Sequence, residues 1–385
     1  MRRMEGELSE AMTRLSAMQQ QGAARVNPGM RLSVFEAPAH LASRHRLEGS
    51  TPGTCSKRRL IAAGDSDDLW LDEERVMGES RWKVFEVTSV YTGQKRAMKC
   101  YPADPDTGEF STPDLIAELC ATRDLPTHPN VMSYDKVIET RNEAFVLMEL
   151  LKQDHRGMDL FEYAVQQDGI AEATAKRLFR GYFAALAHLH DECNVVHNDL
   201  KAENLFVVGA ASEDRDRDAP PATELTAKII DFGLALFPEL PAKKAERSEA
   251  FAAPELLRQT FRSSSDTRDV VKADAQTPIA TKAIDVYRLG CSIYQVLNLS
   301  MPFSVAGGPR NETTYRIPLK HRYTLTDRTQ VNTLADLFPD SFYATHAHRI
   351  SDKCRAFMKR CLAFDPDNRP TAAEALEDPW FREEE

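Results

Sequence analysis

The chain has 385 residues, enough for one large two-lobed domain or two modest ones, and its 42% apolar content supports a globular core. A net charge of −10 argues against a general nucleic-acid binder. No apolar run of about 18 residues is present, so no transmembrane helix is expected, and seven scattered cysteines without a CxxC pair do not read as a disulfide framework.

In residues 1–25, Met4, Leu8, Met12, Leu15 and Met18 recur at spacings of three and four, which predicts a short amphipathic helix. Either it docks on a partner or a membrane surface, or it is a plain solvated helix. The start, Met1 to Gln20, is too polar for a secretory signal peptide, so the expectation is a cytosolic protein or a chain without its targeting segment. Residues 26–68 combine Pro, Gly and Ser with Arg44, His45, Arg46, Lys57, Arg58 and Arg59, and read as a flexible basic linker. Residues 1–68 thus form an N-terminal extension.

From Glu74 to Met98 the pattern is that of strands. Val84 to Val87 alternates apolar and polar, and Thr92-Gly93 makes a turn before Ala97-Met98-Lys99. A helix is predicted over 114–125, around Leu115, Ile116, Leu119 and Cys120, and a buried strand over Phe145 to Met148. Helical periodicity then dominates, over Ala175–His190, Ala283–Leu297, Ser351–Leu362 and Ala372–Glu377. Strands followed by helices predict an α+β arrangement of two lobes, about 69–150 and 151–383. Polar stretches at 210–224, 259–278 and 304–330 read as surface loops.

Val195-Val196-His197-Asn198-Asp199-Leu200-Lys201-Ala202-Glu203-Asn204 is followed by Ile229-Ile230-Asp231-Phe232-Gly233. His-x-Asp-Leu-Lys-x-x-Asn, an apolar strand, then Asp-Phe-Gly resembles the catalytic loop and magnesium-binding motif of the protein kinases. The resemblance implies a bilobal fold and transfer of a phosphoryl group from ATP. That reaction is mostly positioning and charge neutralisation. Asp199 would orient the substrate hydroxyl and take its proton, and Lys201 would reach the transferring phosphate. Asn204 and Asp231 would offer hard oxygen ligands to Mg²⁺. His197 would brace the loop.

Further landmarks carry the resemblance across residues 70–383. Ala97-Met98-Lys99 is similar to the strand lysine that holds the α- and β-phosphates, with Glu118 as its ion-pair partner and Asp114 as the fallback. Phe145 to Leu150 is similar to the strand and hinge that hold adenine. Met148 would stand at the back of the pocket, and Glu149 and Leu151 would offer backbone hydrogen bonds. Ala253-Pro254-Glu255 resembles the end of an activation segment. Asp285 to Gly290 resembles the buried helix whose aspartate accepts from the catalytic loop, and Arg369 would pair with Glu255. Lys201, two residues after Asp199, implies serine/threonine specificity.

Two departures qualify this expectation. Around Val76 to Val84, where a glycine-rich loop should cover the nucleotide, only Gly78 remains, with Ser80 and Lys83 where further glycines would be. Glycines there let backbone N–H groups approach phosphate; Lys83 or Arg81 would supply charge instead. Asn198 stands where an arginine usually pairs with a phosphorylated activation-segment residue, so switching through Ser248 is not expected. These departures are similar to the rhoptry-type kinases and pseudokinases of apicomplexan parasites, which implies secretion into the host cell or the parasitophorous vacuole. The sequence therefore points to a serine/threonine kinase acting on protein, with a scaffolding pseudokinase as the alternative and a small-molecule phosphotransferase behind both.

Overall fold

The computed structural model describes residues 58–62, 68–79, 82–103, 113–140, 142–152, 156–211, 225–237, 251, 253, 255, 281–299, 301–302, 350–363 and 365–382. The expected helix over 1–25 and the polar stretches 212–224, 259–278 and 304–330 lie outside these residues, as do Ser80, Arg81 and Ser248. The chain divides into two compact units, Met1–Leu125 with Ser133–Leu151, and Pro126–Met132 with Lys152–Glu385.

The first unit is an antiparallel sheet with one helix. Its strands are β1 (Arg58–Ile61), β2 (Leu69–Glu79), β3 (Lys83–Ser89), β4 (Lys95–Pro102), β5 (Tyr134–Glu139) and β6 (Glu143–Met148), in the order β1-β2-β3-β4-β6-β5. Helix α1 (Pro113–Asp124) lies between β4 and β5 in sequence. Alternation decides the inward face of β3: Phe85, Val87 and Ser89 are buried while Val84, Glu86 and Thr88 are only partly covered. Phe85 and Val87 join Ile61, Leu69, Leu71, Met98, Ile138, Phe145 and Leu147 in one apolar core. The Thr92-Gly93 turn forms as expected, with Gly93 at φ 70° and its N–H on the Ser89 carbonyl at 3.0 Å.

The basic linker reading fails at its C-terminal end. Arg58–Ile61 is a strand, paired residue for residue with Leu69–Asp72. Its basic residues are not simply solvated. Arg59 forks onto the Glu143 carboxylate, with one bond of 3.1 Å, and lies 5.6 Å from the centre of the Phe145 ring. In strand order β1 and β6 stand far apart, so this contact requires the sheet to curl back on itself. The spacing rules missed it because a four-residue strand is too short to show periodicity. Arg59→Ala is expected to remove the ion pair and the ring contact together, lowering the stability of this unit by about 1 kcal/mol in urea unfolding. An unchanged midpoint would show that β1 is not a closing strand.

The second unit carries the sheet β7 (Arg156–Asp159), β8 (Leu205–Ala211), β9 (Thr226–Ile229), in that order, and five α-helices among the described residues. These are α2 (Leu160–Gln166), α3 (Glu172–Ala187), α4 (Lys282–Asn298), α5 (Asp352–Cys361) and α6 (Ala372–Leu376). Their starts follow from local chemistry. Asp159 caps α2 through the Glu162 N–H at 2.8 Å, Ser351 caps α5, and Thr371 with Glu374 forms a capping box on α6. Phe183, Phe357, Trp380 and Phe381 stack edge and face, tying α3 and α5 to the segment after α6. Helix α4 is buried from Ile284 to Asn298, as expected of a helix packed on all sides. Gly290 permits its approach to α5: a Cβ there would stand 2.8 Å from that of Cys361.

Candidate active site

Candidate residues occur in each of the two units. In the first, β4 turns Lys99 toward α1, and its ammonium meets Glu118 Oε1 at 2.9 Å. Both side chains are buried, at 8% and 1% exposure, which marks a built ion pair and not a surface one. Asp114, the fallback partner, does something else: its Oδ2 accepts the Trp82 indole N–H at 3.0 Å. Met148 is buried at the end of β6, opposite Ala97 and Tyr134. Glu149 gives its N–H to the Ser133 carbonyl at 3.0 Å and takes the Ser133 N–H on its carboxylate at 2.6 Å. Leu151 is buried just beyond it, at the end of this unit.

The strands that flank the turn expected to cover the nucleotide are paired up to its edge. β2 and β3 pair as far as Glu79 opposite Lys83, with Gly78 in the ladder opposite Val84. The pairing slips between Leu71 and Val76 and again before Gly78, so β2 is bulged. Lys83 is exposed at the start of β3.

In the second unit, Asp199, Lys201 and Asn204 touch one another. Lys201 Nζ lies 3.0 Å from Asp199 Oδ2. Asn204 donates from its amide nitrogen to the same Oδ2 at 2.9 Å and to the Asp199 carbonyl at 2.7 Å. A short 3₁₀ turn over Ala202–Asn204 brings it there. Asp231 lies two residues beyond the end of β9, and the Ile230 N–H bonds the Asn204 carbonyl at 3.0 Å, joining the two motifs. Asp231 sits at φ 64°, and its Oδ1 accepts the Gly233 N–H at 3.3 Å. Such a left-handed aspartate is strained and persists only where its surroundings hold it.

The loop that carries Asp199 is braced from beneath by α4. Asp285 accepts the N–H groups of His197 (2.8 Å) and Asn198 (3.0 Å) and also the His190 ring nitrogen (3.0 Å). Burial would raise the Asp285 carboxyl, but the His190 hydrogen bond and nearby positive charge bring it below its ordinary range. One helical turn on, the buried Arg288 donates to the Asn198 carbonyl. Asn198 is itself left-handed, at φ 63°, so both of its peptide groups are tied to α4. Its amide donates to the Leu234 carbonyl at 3.2 Å, just after Asp231-Phe232-Gly233.

His197 takes the Asp199 N–H on Nδ1 at 3.3 Å, leaving Nε2 to donate to the Ile230 carbonyl at 3.0 Å. That arrangement needs a neutral ring, and burial holds its titration below the usual range against the pull of Asp285 and Asp199. The ring also lies 4.9 Å from Phe232. His197 is thus a brace, as expected.

At the far end, Arg369 forks onto Glu255 at 2.8 and 2.7 Å, with its guanidinium fully buried. Sequence reasoning found Asp285 and this pair but missed Arg288, His190 and Trp82. Arg288 had a visible signal: an arginine three residues after Asp285 in an otherwise apolar helix.

The "Protein kinase domain" family profile matches residues 73–381. Among curated proteins, the mouse serine/threonine-protein kinase DCLK3 is 26% identical over 88% of this chain and 37% of its own length. The human hormonally up-regulated neu tumor-associated kinase is 28% identical, over 82% of this chain and 37% of its own length. The serine/threonine-protein kinase RAD53 of Saccharomyces cerevisiae is 25% identical, over 87% and 35%. The chain thus spans a little over a third of these relatives.

Proposed function

Since this chain belongs to the protein kinase domain family, with the bilobal α+β fold of that family, we propose that it is an active enzyme transferring the γ-phosphoryl group of ATP to serine or threonine of a protein. The observation that carries this reading is the Asp199–Lys201–Asn204 cluster, held in place by Asp285. Both side-chain contacts of Asp199 fall on Oδ2, which leaves Oδ1, among the described residues, to face a substrate hydroxyl. Lys201 stands beside that carboxylate, where it offsets negative charge. Lys99, fixed by Glu118, would hold the α- and β-phosphates, and Met148, Glu149 and Leu151 would line the adenine side.

The residues fit Mg²⁺. The Asn204 amide nitrogen is engaged by Asp199, so its oxygen would be the atom offered to a hard cation, and Asp231 would add a carboxylate. Among the described residues no group of three or more His, Cys, Asp or Glu could hold a metal. A sparse donor set is what Mg²⁺ uses when substrate phosphates complete its shell. When bound, the ion would neutralise charge on those phosphates.

Asn198 supports a site set by folding. Its carbonyl is tied to Arg288 and its amide to Leu234, so contacts within the fold brace the loop. Asn198 and the single glycine, Gly78, in the stretch from Val76 to Val84 also support a place near the rhoptry-type branch. The tight β2–β3 pairing favours a second reading, a pseudokinase scaffold.

Purified protein with Mg²⁺ and γ-labelled ATP decides between them. Label on serine or threonine of a basic protein or of the chain itself, and not on tyrosine, is expected, and prior phosphatase treatment should leave the rate unchanged. Incorporation no greater than that of Asp199→Asn would reject the enzyme reading.

A further inference from the structure

The β2–β3 turn lacks the glycines that would bring backbone N–H groups to phosphate, yet the residue that closes it is tied to the element holding Glu118. Trp82 immediately precedes β3. Its indole N–H donates to Asp114 Oδ2 at 3.0 Å, in the first turn of α1. Its ring lies 4.9 Å from that of Tyr101, tilted by 44°. Tyr101 is 1% exposed and touches both members of the ion pair. Its ring centre is 5.7 Å from Lys99 Nζ, and its hydroxyl is 3.5 Å from Glu118 Oε1.

Trp82 also packs with Leu119 against the cluster of Tyr101, Leu115, Ala144 and Val146. A single side chain therefore bridges the turn, β4 and α1, all within the first unit. Asp114 sits one helical turn before Glu118, so an anchor on Asp114 restrains the rotation and slide of α1 that would carry Glu118 off Lys99.

We propose that Trp82 is a positioning residue, clasping α1 to the β2–β3 turn and so holding Glu118 on Lys99. The clasp deepens the kinase reading, because it gives the glycine-poor turn a role in ATP binding through the ion pair. An aromatic and a charge-assisted hydrogen bond would do by side chain what the missing backbone contacts do not. Trp82→Phe keeps a ring and removes the N–H, Asp114→Ala removes the acceptor, and Asp114→Asn keeps an acceptor oxygen.

The test is native-state amide hydrogen exchange, with residues 143–148 of β6 as the internal reference, together with the KM for ATP and kcat. In Trp82→Phe and Asp114→Ala, amides of 113–124 are expected to exchange about ten-fold faster while β6 is unchanged. KM for ATP should rise about ten-fold with kcat within two-fold, and Asp114→Asn should restore both. Unchanged α1 exchange in either variant would overturn the proposal, as would loosening shared equally by β6. Should one variant fail to fold, the other carries the same readout. Exchange needs no nucleotide, so a faster α1 in a chain that does not transfer phosphate would count against the kinase reading and leave the clasp standing.

Discussion

Asp199→Asn is expected to lower kcat by about 10²- to 10⁴-fold, the range for loss of a positioned general base, and to leave the fold intact. The amide has the shape of the carboxylate, and one oxygen can still accept from Asn204 or Lys201, which both reach Oδ2 in the native protein. What disappears is the charge that, in the proposed function, would orient a substrate hydroxyl and accept its proton. KM for ATP should therefore move little while turnover collapses, since the proposed function assigns ATP to other residues. Steady-state rates across ATP concentrations, with a thermal scan of each protein, check both halves. A variant retaining a tenth of the native rate would show that Asp199 is not the base.

Asp285→Ala is expected to be the most destabilising single change, by about 3–5 kcal/mol, the range for removing one partner of a buried charged set. The carboxylate is fully buried and accepts two backbone N–H groups and the His190 ring nitrogen. Removing it leaves those donors without an acceptor and leaves Arg288 without the nearby negative charge. The effect reaches function, because the two N–H groups belong to the residues directly before Asp199. Turnover should fall even where the variant is still folded. Asp285→Asn, which keeps one acceptor oxygen, should fall between.

The folded carboxyl titrates below its unfolded value of 3.8. Its contribution is therefore complete above that pH and is lost as the pH drops through the folded value. Urea unfolding of the three proteins at neutral and acid pH measures this. Equal stabilities at neutral pH would overturn the account of the braced loop.

Much of this was legible in the sequence because the informative residues are close together along the chain. His197 to Asn204 and Asp231 to Gly233 carry their chemistry in short spacings, and local backbone geometry is nearly enough to place Asp199 beside Lys201 and Asn204. The Lys99–Glu118 pair was legible through the kinase resemblance, which implied an acidic partner on the next helix. Periodicity found α1 and the long buried helix α4 within a residue or two.

The unread features depend on long-range closure. Arg59 reaches Glu143 only because the sheet curls, and no local pattern announces a curl. Arg288 finds the Asn198 carbonyl only once α4 lies beneath the loop. Trp82 meets Asp114 across 32 residues, a pairing that no local pattern around the turn announces. The tight pairing to Glu79 and Lys83 likewise needs the bulged register of β2.

The account stands or falls on whether Mg·ATP binding depends on both Lys99 and Asp231. Isothermal titration of Mg·ATP into the native chain, Lys99→Met and Asp231→Ala tests it most directly. The account predicts a single site in the native protein, weakened at least ten-fold by either substitution, with both variants folded. Nucleotide binding that survives both changes at native affinity, or no binding to the native chain at all, would contradict it.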